Sequence, residues 1–143
     1  MADRVARLEI DDAALNAQVM GDLTRFTVGF VRTAATTAQS IAPVRTGYLR
    51  SQIRADDVNR VGPWSLASGV TSGADYSAPV HEGARPHVIR PKNARALRFM
   101  IGERVVFAMR VNHPGNQPNP YLRNAVHRTA SADPRIQVGD SID

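Results

Sequence analysis

Four histidines are the side chains of this sequence best suited to chemistry, and their spacing limits what that chemistry could be. His81, His87, His113 and His127 lack zinc-type spacing, and the chain has no cysteine to complete a tetrahedral set. His81-Glu82 does not extend into the His-Glu-x-x-His helix signature, and Gly83 argues against a helix there. The serines have no nucleophile-elbow context, and no glycine-rich loop is built to cradle phosphate. The expectation is a protein without catalytic residues, without a metal site and without a cofactor. With no cysteine, disulfides and thiolate chemistry are excluded, and the chain suits a reducing compartment.

The remaining chemistry is charge. The net charge is +5, and seventeen of the eighteen basic residues are arginine. A planar guanidinium fits carboxylates, phosphates and interfaces better than an ammonium does, so an acidic partner is implied, either protein or nucleic acid. Arg85, Arg90, Lys92, Arg95 and Arg98 cluster, whereas the other arginines are scattered. No DNA- or RNA-reading motif accompanies them, and the few aromatic residues make no evident stacking platform. The plainer reading of the cluster is a solvated basic face or a protein interface.

These residues surround Tyr76–Pro91, YSAPVHEGARPHVIRP. Pro79, Pro86 and Pro91 each fix φ and remove a donor, so no long helix or central strand passes through. Gly83 supplies a turn. The stretch reads as a stiff, exposed contact loop. Its candidate interface residues are Tyr76, Val80, His81, Glu82, Gly83, Arg85, Pro86, His87, Arg90 and Pro91, joined by His113 and Asn119 from a second polar loop. Glu82 is the only carboxylate between Asp75 and Glu103, and pairing with an arginine of its own or a neighbouring chain is expected.

The length of 143 residues suits one domain, placed at residues 1–130 with a flexible tail over 131–143. A weak strand signal lies at 5–10. Asp11 or Asp12 then caps a helix over about 13–39, with the apolar stripe Leu15, Val19, Leu23, Phe26, Phe30, Ala34, Ala38, Ile41 at steps of three and four. Strands are expected over 48–54 and 64–71, with a polar turn over 56–63. Leu97, Phe99, Ile101 and then Val105, Phe107, Met109, Val111 alternate around Gly102-Glu103, a two-residue hairpin turn. Phe26 and Phe107 read as core, and Arg98 and Arg110 as sharing the face opposite the apolar one. Residues 112–119 read as a rigid loop. Asn119 and Pro120 open a helix to about Thr129 with Leu122, Ala125 and Val126 inward. The fold class is therefore α+β, a mainly antiparallel sheet against a long N-terminal helix with a short C-terminal helix. No apolar run approaches the roughly 20 residues that span a bilayer, and the N-terminus lacks a signal-peptide core, so a soluble product without membrane contact is expected.

In sum of order and spacing, the chain resembles the neck or tail-completion proteins, the head–tail connectors of long-tailed double-stranded-DNA phages. The resemblance rests on three segments and covers roughly 12–130. In the first, Ala42, Pro43, Thr46, Gly47, Leu49 and Arg50 match an Ala-Pro-x-x-Thr-Gly-x-Leu-Arg-x-Ser turn after a helix, with Ser51 one position ahead of the pattern's serine. In the second, Tyr76, Glu82 and Gly83 resemble a Tyr-Ala-x-x-x-Glu-Gly-Thr segment, with Ser77 and Ala84 as departures and one extra residue before Glu82. In the third, Pro120, Tyr121 and Leu122 match a Pro-aromatic-Leu segment before the last helix. The resemblance implies a non-catalytic structural subunit, made in the host cytoplasm and placed at the virion head–tail junction. It would form a homo-oligomeric, hexameric ring, touch adjacent neck and tail proteins, and contact DNA in the lumen at most unspecifically. Pro43, Thr46, Gly47, Leu49, Arg50 and Pro120 would then be structural turn residues. The alternative is a basic nucleic-acid-binding module of phage or host origin, which a steep salt dependence of binding would reveal.

Overall fold

Asp11 starts the first element. Its carboxylate accepts a hydrogen bond from the Ala14 amide at 3.0 Å, satisfying one of the free donors of helix α1, Asp12–Ile41. At the other end Ala42 stands before Pro43 and is extended, with ψ at 138°, although its amide still bonds the Ala38 carbonyl. The computed structural model describes residues 11–137, so the strand suggested at 5–10 lies outside the described residues. The contacts divide the chain into two compact units where the sequence suggests one domain. The first holds residues up to Ser72 and from Leu122, and the second is Gly73–Tyr121. The fold is α+β, with antiparallel strands in two-stranded ladders rather than in one sheet.

In the first unit, only part of the expected stripe on α1 is core. Met20, Val31, Ala34, Ala35 and Ala38 are buried, Phe26 and Phe30 are half-buried, and Leu15 and Val19 are exposed. Five threonines, at 24, 27, 33, 36 and 37, return their hydroxyls to the carbonyl four residues earlier. Residues 48–51, expected as strand, form the helical turn α2, Tyr48–Ser51. Gly47 precedes it with φ at +83°, which a side chain would resist, and the Ser51 amide closes back on its carbonyl. Leu49 is the buried residue of this turn, and Ile53, also buried, opens the strand that follows.

Four strands follow: β1 Ile53–Ala55, β2 Asn59–Gly62, β3 Ser65–Ala67 and β4 Val70–Ser72. The segment 56–63, expected as a turn, thus contains a strand, and 64–71 is two strands rather than one. They nest: β2 pairs with β3 inside, and β1 pairs with β4 outside. Between the ladders Asp56 takes up the slack. Its amide bonds the Gly69 carbonyl, its carbonyl accepts the Ser68 hydroxyl, and its carboxylate accepts the Thr71 hydroxyl at 2.7 Å. The outer ladder packs on α1, where the Gln39 amide group donates to the Ile53 carbonyl at 3.1 Å.

The second unit nests in the same way. After α3, Ser77–Glu82, come β5 His87–Ile89, β6 Leu97–Ile101, β7 Arg104–Ala108 and β8 Val111–His113. The pair β6–β7 lies inside β5–β8. The turn is Gly102-Glu103 as expected, with φ at +60° for Gly102. The expected faces are not found. Leu97 stands opposite Ala108 and Phe99 opposite Val106, whereas Phe107 stands opposite Arg98 and Val105 opposite Met100. The two apolar runs therefore lie on opposite faces, and Phe107 is 67% exposed rather than core. Asn112 and His113, expected in a loop, are paired with β5 alongside Val111 in β8.

Helix α4, Tyr121–Ala132, outlasts the expected end at Thr129. Ala125 is buried, Leu122 is half-buried and Val126 is exposed. Past it, Asp133 and Ile136 amides bond the Ala130 and Asp133 carbonyls, and the Arg135 guanidinium caps the Phe26 ring at 4.6 Å. Residues 131–137, assigned to a tail in the sequence reading, are therefore hydrogen-bonded structure.

Candidate functional site

The stretch Tyr76–Pro91 is held by its own helix and by a second segment, 111–121. Contrary to the expectation from Gly83, residues 77–82 are helical. Pro79 fits because it falls in the first turn, where an amide would have no intrahelical partner. Gly83, with φ at +83°, ends the helix just past Glu82.

Three kinds of contact fasten this helix. The Ser77 hydroxyl and the Tyr121 hydroxyl are 2.7 Å apart, with both residues buried. The His81 ring meets the Tyr121 ring edge-on at 5.7 Å. The Asn116 side-chain amide donates to the Pro79 carbonyl at 2.8 Å, and the Asn119 amide donates to the Val80 carbonyl at 3.0 Å. Just beyond, Ala84 and Asn116 exchange backbone hydrogen bonds as an isolated antiparallel bridge. This approach is so close that side chains are excluded. A Cβ on Gly83 would stand 2.9 Å from the Asn116 carbonyl oxygen, and one on Gly115 would stand 2.1 Å from that of Ala84. Gly115 also has φ at +81°.

The β5–β8 ladder continues the fastening. His87 faces His113 with ring centroids 5.0 Å apart. The His87 Nδ1 lies 2.8 Å from the Arg85 carbonyl, and the Gly115 amide donates to the His113 Nδ1 at 3.0 Å. Two imidazoles thus serve the backbone of the two loops. Among the described residues, no three His, Asp or Glu side chains gather where a metal could sit.

The expected interface residues separate into two groups. Val80, His81, Gly83 and His113 are half-buried and hold the loops together; Pro91 is half-buried as well. Tyr76, Glu82, Arg85, Pro86, His87, Arg90 and Asn119 are exposed. Glu82, Arg85 and Pro86 border an open depression of about 670 Å³ whose other wall is Pro114–Pro118. Among the described residues Glu82 makes no ion pair. Of the turn residues, Leu49 is buried, the Thr46 hydroxyl accepts from the Tyr48 amide at 3.4 Å, and Arg50 and Pro43 are exposed. Pro120 immediately precedes α4, and the Tyr121 amide bonds the Asn119 carbonyl at 2.7 Å.

Sequence reasoning missed Tyr121 as the anchor and Gly115, Asn116 and Pro118 as the clamp. Tyr121 was legible, because Tyr121 and Ala125 are one helical turn apart and share a face more closely than Leu122 and Ala125 do. It also missed the exposed apolar side chains of the inner hairpin, Met100, Ile101, Val105 and Phe107. Among the described residues, no helix is long and apolar enough to cross a membrane. Comparison with protein-family models, with curated proteins and with solved structures returns no match.

Proposed function

We propose that this chain is a structural, ring-forming subunit of a phage neck, joining the head to the tail tube, with no catalysis and no cofactor. The observation that supports the reading is the rigid double loop of 76–91 and 111–121, which presents Glu82, Arg85, Pro86 and Arg90 from a fixed backbone. A preorganised loop loses little entropy on binding, which suits a contact repeated in every subunit of a ring. Arginine makes bidentate pairs with carboxylates, so acidic patches on copies of itself and on adjacent neck and tail proteins are the partners expected. The location, the virion head–tail junction, and the sixfold number are what the resemblance of the three sequence segments to neck proteins implies.

Electron microscopy of the purified protein and of virions tests this. A ring between portal and tail tube is the expected result. Glu82→Arg should reduce incorporation into particles while leaving the circular dichroism of the free chain unchanged, because Glu82 is exposed.

One feature favours the second reading, a basic nucleic-acid-binding module. The β6–β7 hairpin is a two-stranded ribbon carrying Arg98 and Arg104, and such ribbons fit the major groove of duplex DNA. Absence from particles, together with tight duplex binding that falls steeply with salt, would replace the connector with this module.

A further inference from the structure

The hairpin β6–β7 carries a face that water does not suit. Arg98, Met100, Val105 and Phe107 form its outer side, two cross-strand pairs in register, and all four are exposed. Met100 is 58% exposed and Phe107 67%. A two-stranded hairpin is marginal alone in water, and exposed apolar clusters of this kind mark contacts.

A surface of matching design occurs on α1. Asp12, Leu15, Val19 and Asp22 follow one another at steps of three, four and three, so they form one stripe, and all are exposed. Its centre is apolar and its ends are carboxylates. The dimensions agree. Successive pairs on one face of a hairpin are about 6.6 Å apart along the strand. Leu15 and Val19 are separated by about 6 Å of helix rise. Phe107 would rest on Leu15 and the Met100–Val105 pair on Val19. Arg98, beside Phe107, would then meet Asp12. That carboxylate has no basic partner among the described residues, whereas Asp22 is already paired with Arg25 on its own helix.

We infer that the β6–β7 hairpin of one copy docks on the first half of α1 of a second copy, through Phe107 and Met100 on Leu15 and Val19 and through Arg98 on Asp12. Donor and acceptor surfaces are different patches of one chain, so the contact is head-to-tail, and repetition closes a ring or extends a filament. The inference deepens the self-assembly part of the connector reading and rests on it, but does not depend on where in a particle the ring sits.

The cysteine-free sequence makes the test direct. Val19→Cys and Met100→Cys are prepared as separate proteins, mixed, and treated with a short bismaleimide. The expected product is a covalent dimer in the mixture that neither protein forms alone. Adding Phe107→Asp to the Met100→Cys copy should lower its yield at least about tenfold. Circular dichroism of that variant should be unchanged, since residue 107 is exposed. A dimer formed by Met100→Cys alone would mean hairpin-to-hairpin packing and would overturn the inference, as would exclusively monomeric product. Rings seen by microscopy without the mixed dimer would remove this contact and leave the connector reading standing. The mixed dimer from a chain absent from virions would keep the contact and remove that reading.

Discussion

The chain folds two nested hairpins, residues 53–72 and 87–113, and they divide regularity and burial in opposite ways. In the first, the inner ladder is short and slips register between Arg60 and Gly62, while the outer ladder is seated on α1 with Ile53 only 2% exposed. In the second, the inner ladder runs five residue pairs without a slip, yet its outer face lies open and its contacts are chiefly between its own two strands. Strand pairing and core membership are therefore separate properties. Alternation and a two-residue turn suffice to align β6 with β7. Burial of β1 depends on a partner, which α1 provides.

One truncation in each hairpin should separate the two most widely. Ile53→Ala should cost about 2–5 kcal/mol, because the methylenes removed are enclosed on all sides. Phe107→Ala should stay within about 0.5 kcal/mol, although the side chain lost is larger. Denaturant unfolding measures both, and equal losses would mean that the second hairpin is covered in the free chain.

Next in size is Gly115→Ala at the foot of the second hairpin, expected to cost about 3 kcal/mol from positive φ and collision with the Ala84 carbonyl together. Gly102→Ala at its tip meets no atom within 4 Å and should show only the conformational strain, about 1 kcal/mol. If the two are equal by thermal unfolding, the double loop is looser than its hydrogen bonds imply.

Tyr121→Phe is smaller. It leaves the buried Ser77 hydroxyl without its partner and should cost about 1–3 kcal/mol, with amide exchange accelerating in 77–84 first.

The smallest effect belongs to the turn after α4, in the unit of the first hairpin. The hydrogen bonds from Arg135, side chain before backbone, hold the Asp133 carboxyl down at about 2 from an ordinary 3.8. The folded value lies below the unfolded one, so the pair stabilises above pH 4 and that contribution disappears as pH falls toward 2. In a carbon-detected titration Arg135→Gln should move the midpoint of Asp133 up toward 3.8 without reaching it, because the backbone amide of residue 135 still donates to the carboxylate, with little change in overall stability.

The legible parts of the fold were those written locally. The Asp11 cap, the long run of α1, its stop at Pro43 and the Gly102 turn all depend on residues within a few positions of one another. The faces of β6 and β7 were not legible from alternation alone. A two-residue turn places odd positions opposite even ones, so Phe99 and Phe107, both odd, emerge on opposite sides. Residues 59–62 became a strand by pairing with β3 and not by any apolar pattern of their own, since Asn59, Arg60 and Val61 are all exposed. In the candidate site, prolines and Gly83 announced an ordered stretch, but its fastening to Tyr121, Gly115 and Asn116 joins residues some 30 to 44 positions apart, beyond the reach of local spacing.

The chain leaves its first unit at Ser72 and re-enters it at Leu122, and this has a consequence for synthesis. Phe26, Phe30 and Thr33 share a hollow with Arg128, Thr129 and Arg135, about a hundred positions later. Until the last turn of α4 leaves the ribosome, that side of α1 has no cover from its own chain. The intervening unit, Gly73–Tyr121, is continuous in sequence and can fold first, and closing so long a loop comes late. Translation therefore proceeds with an amphipathic helix waiting for its lid, and truncation anywhere before 128 should yield chains that bind holdase chaperones through α1.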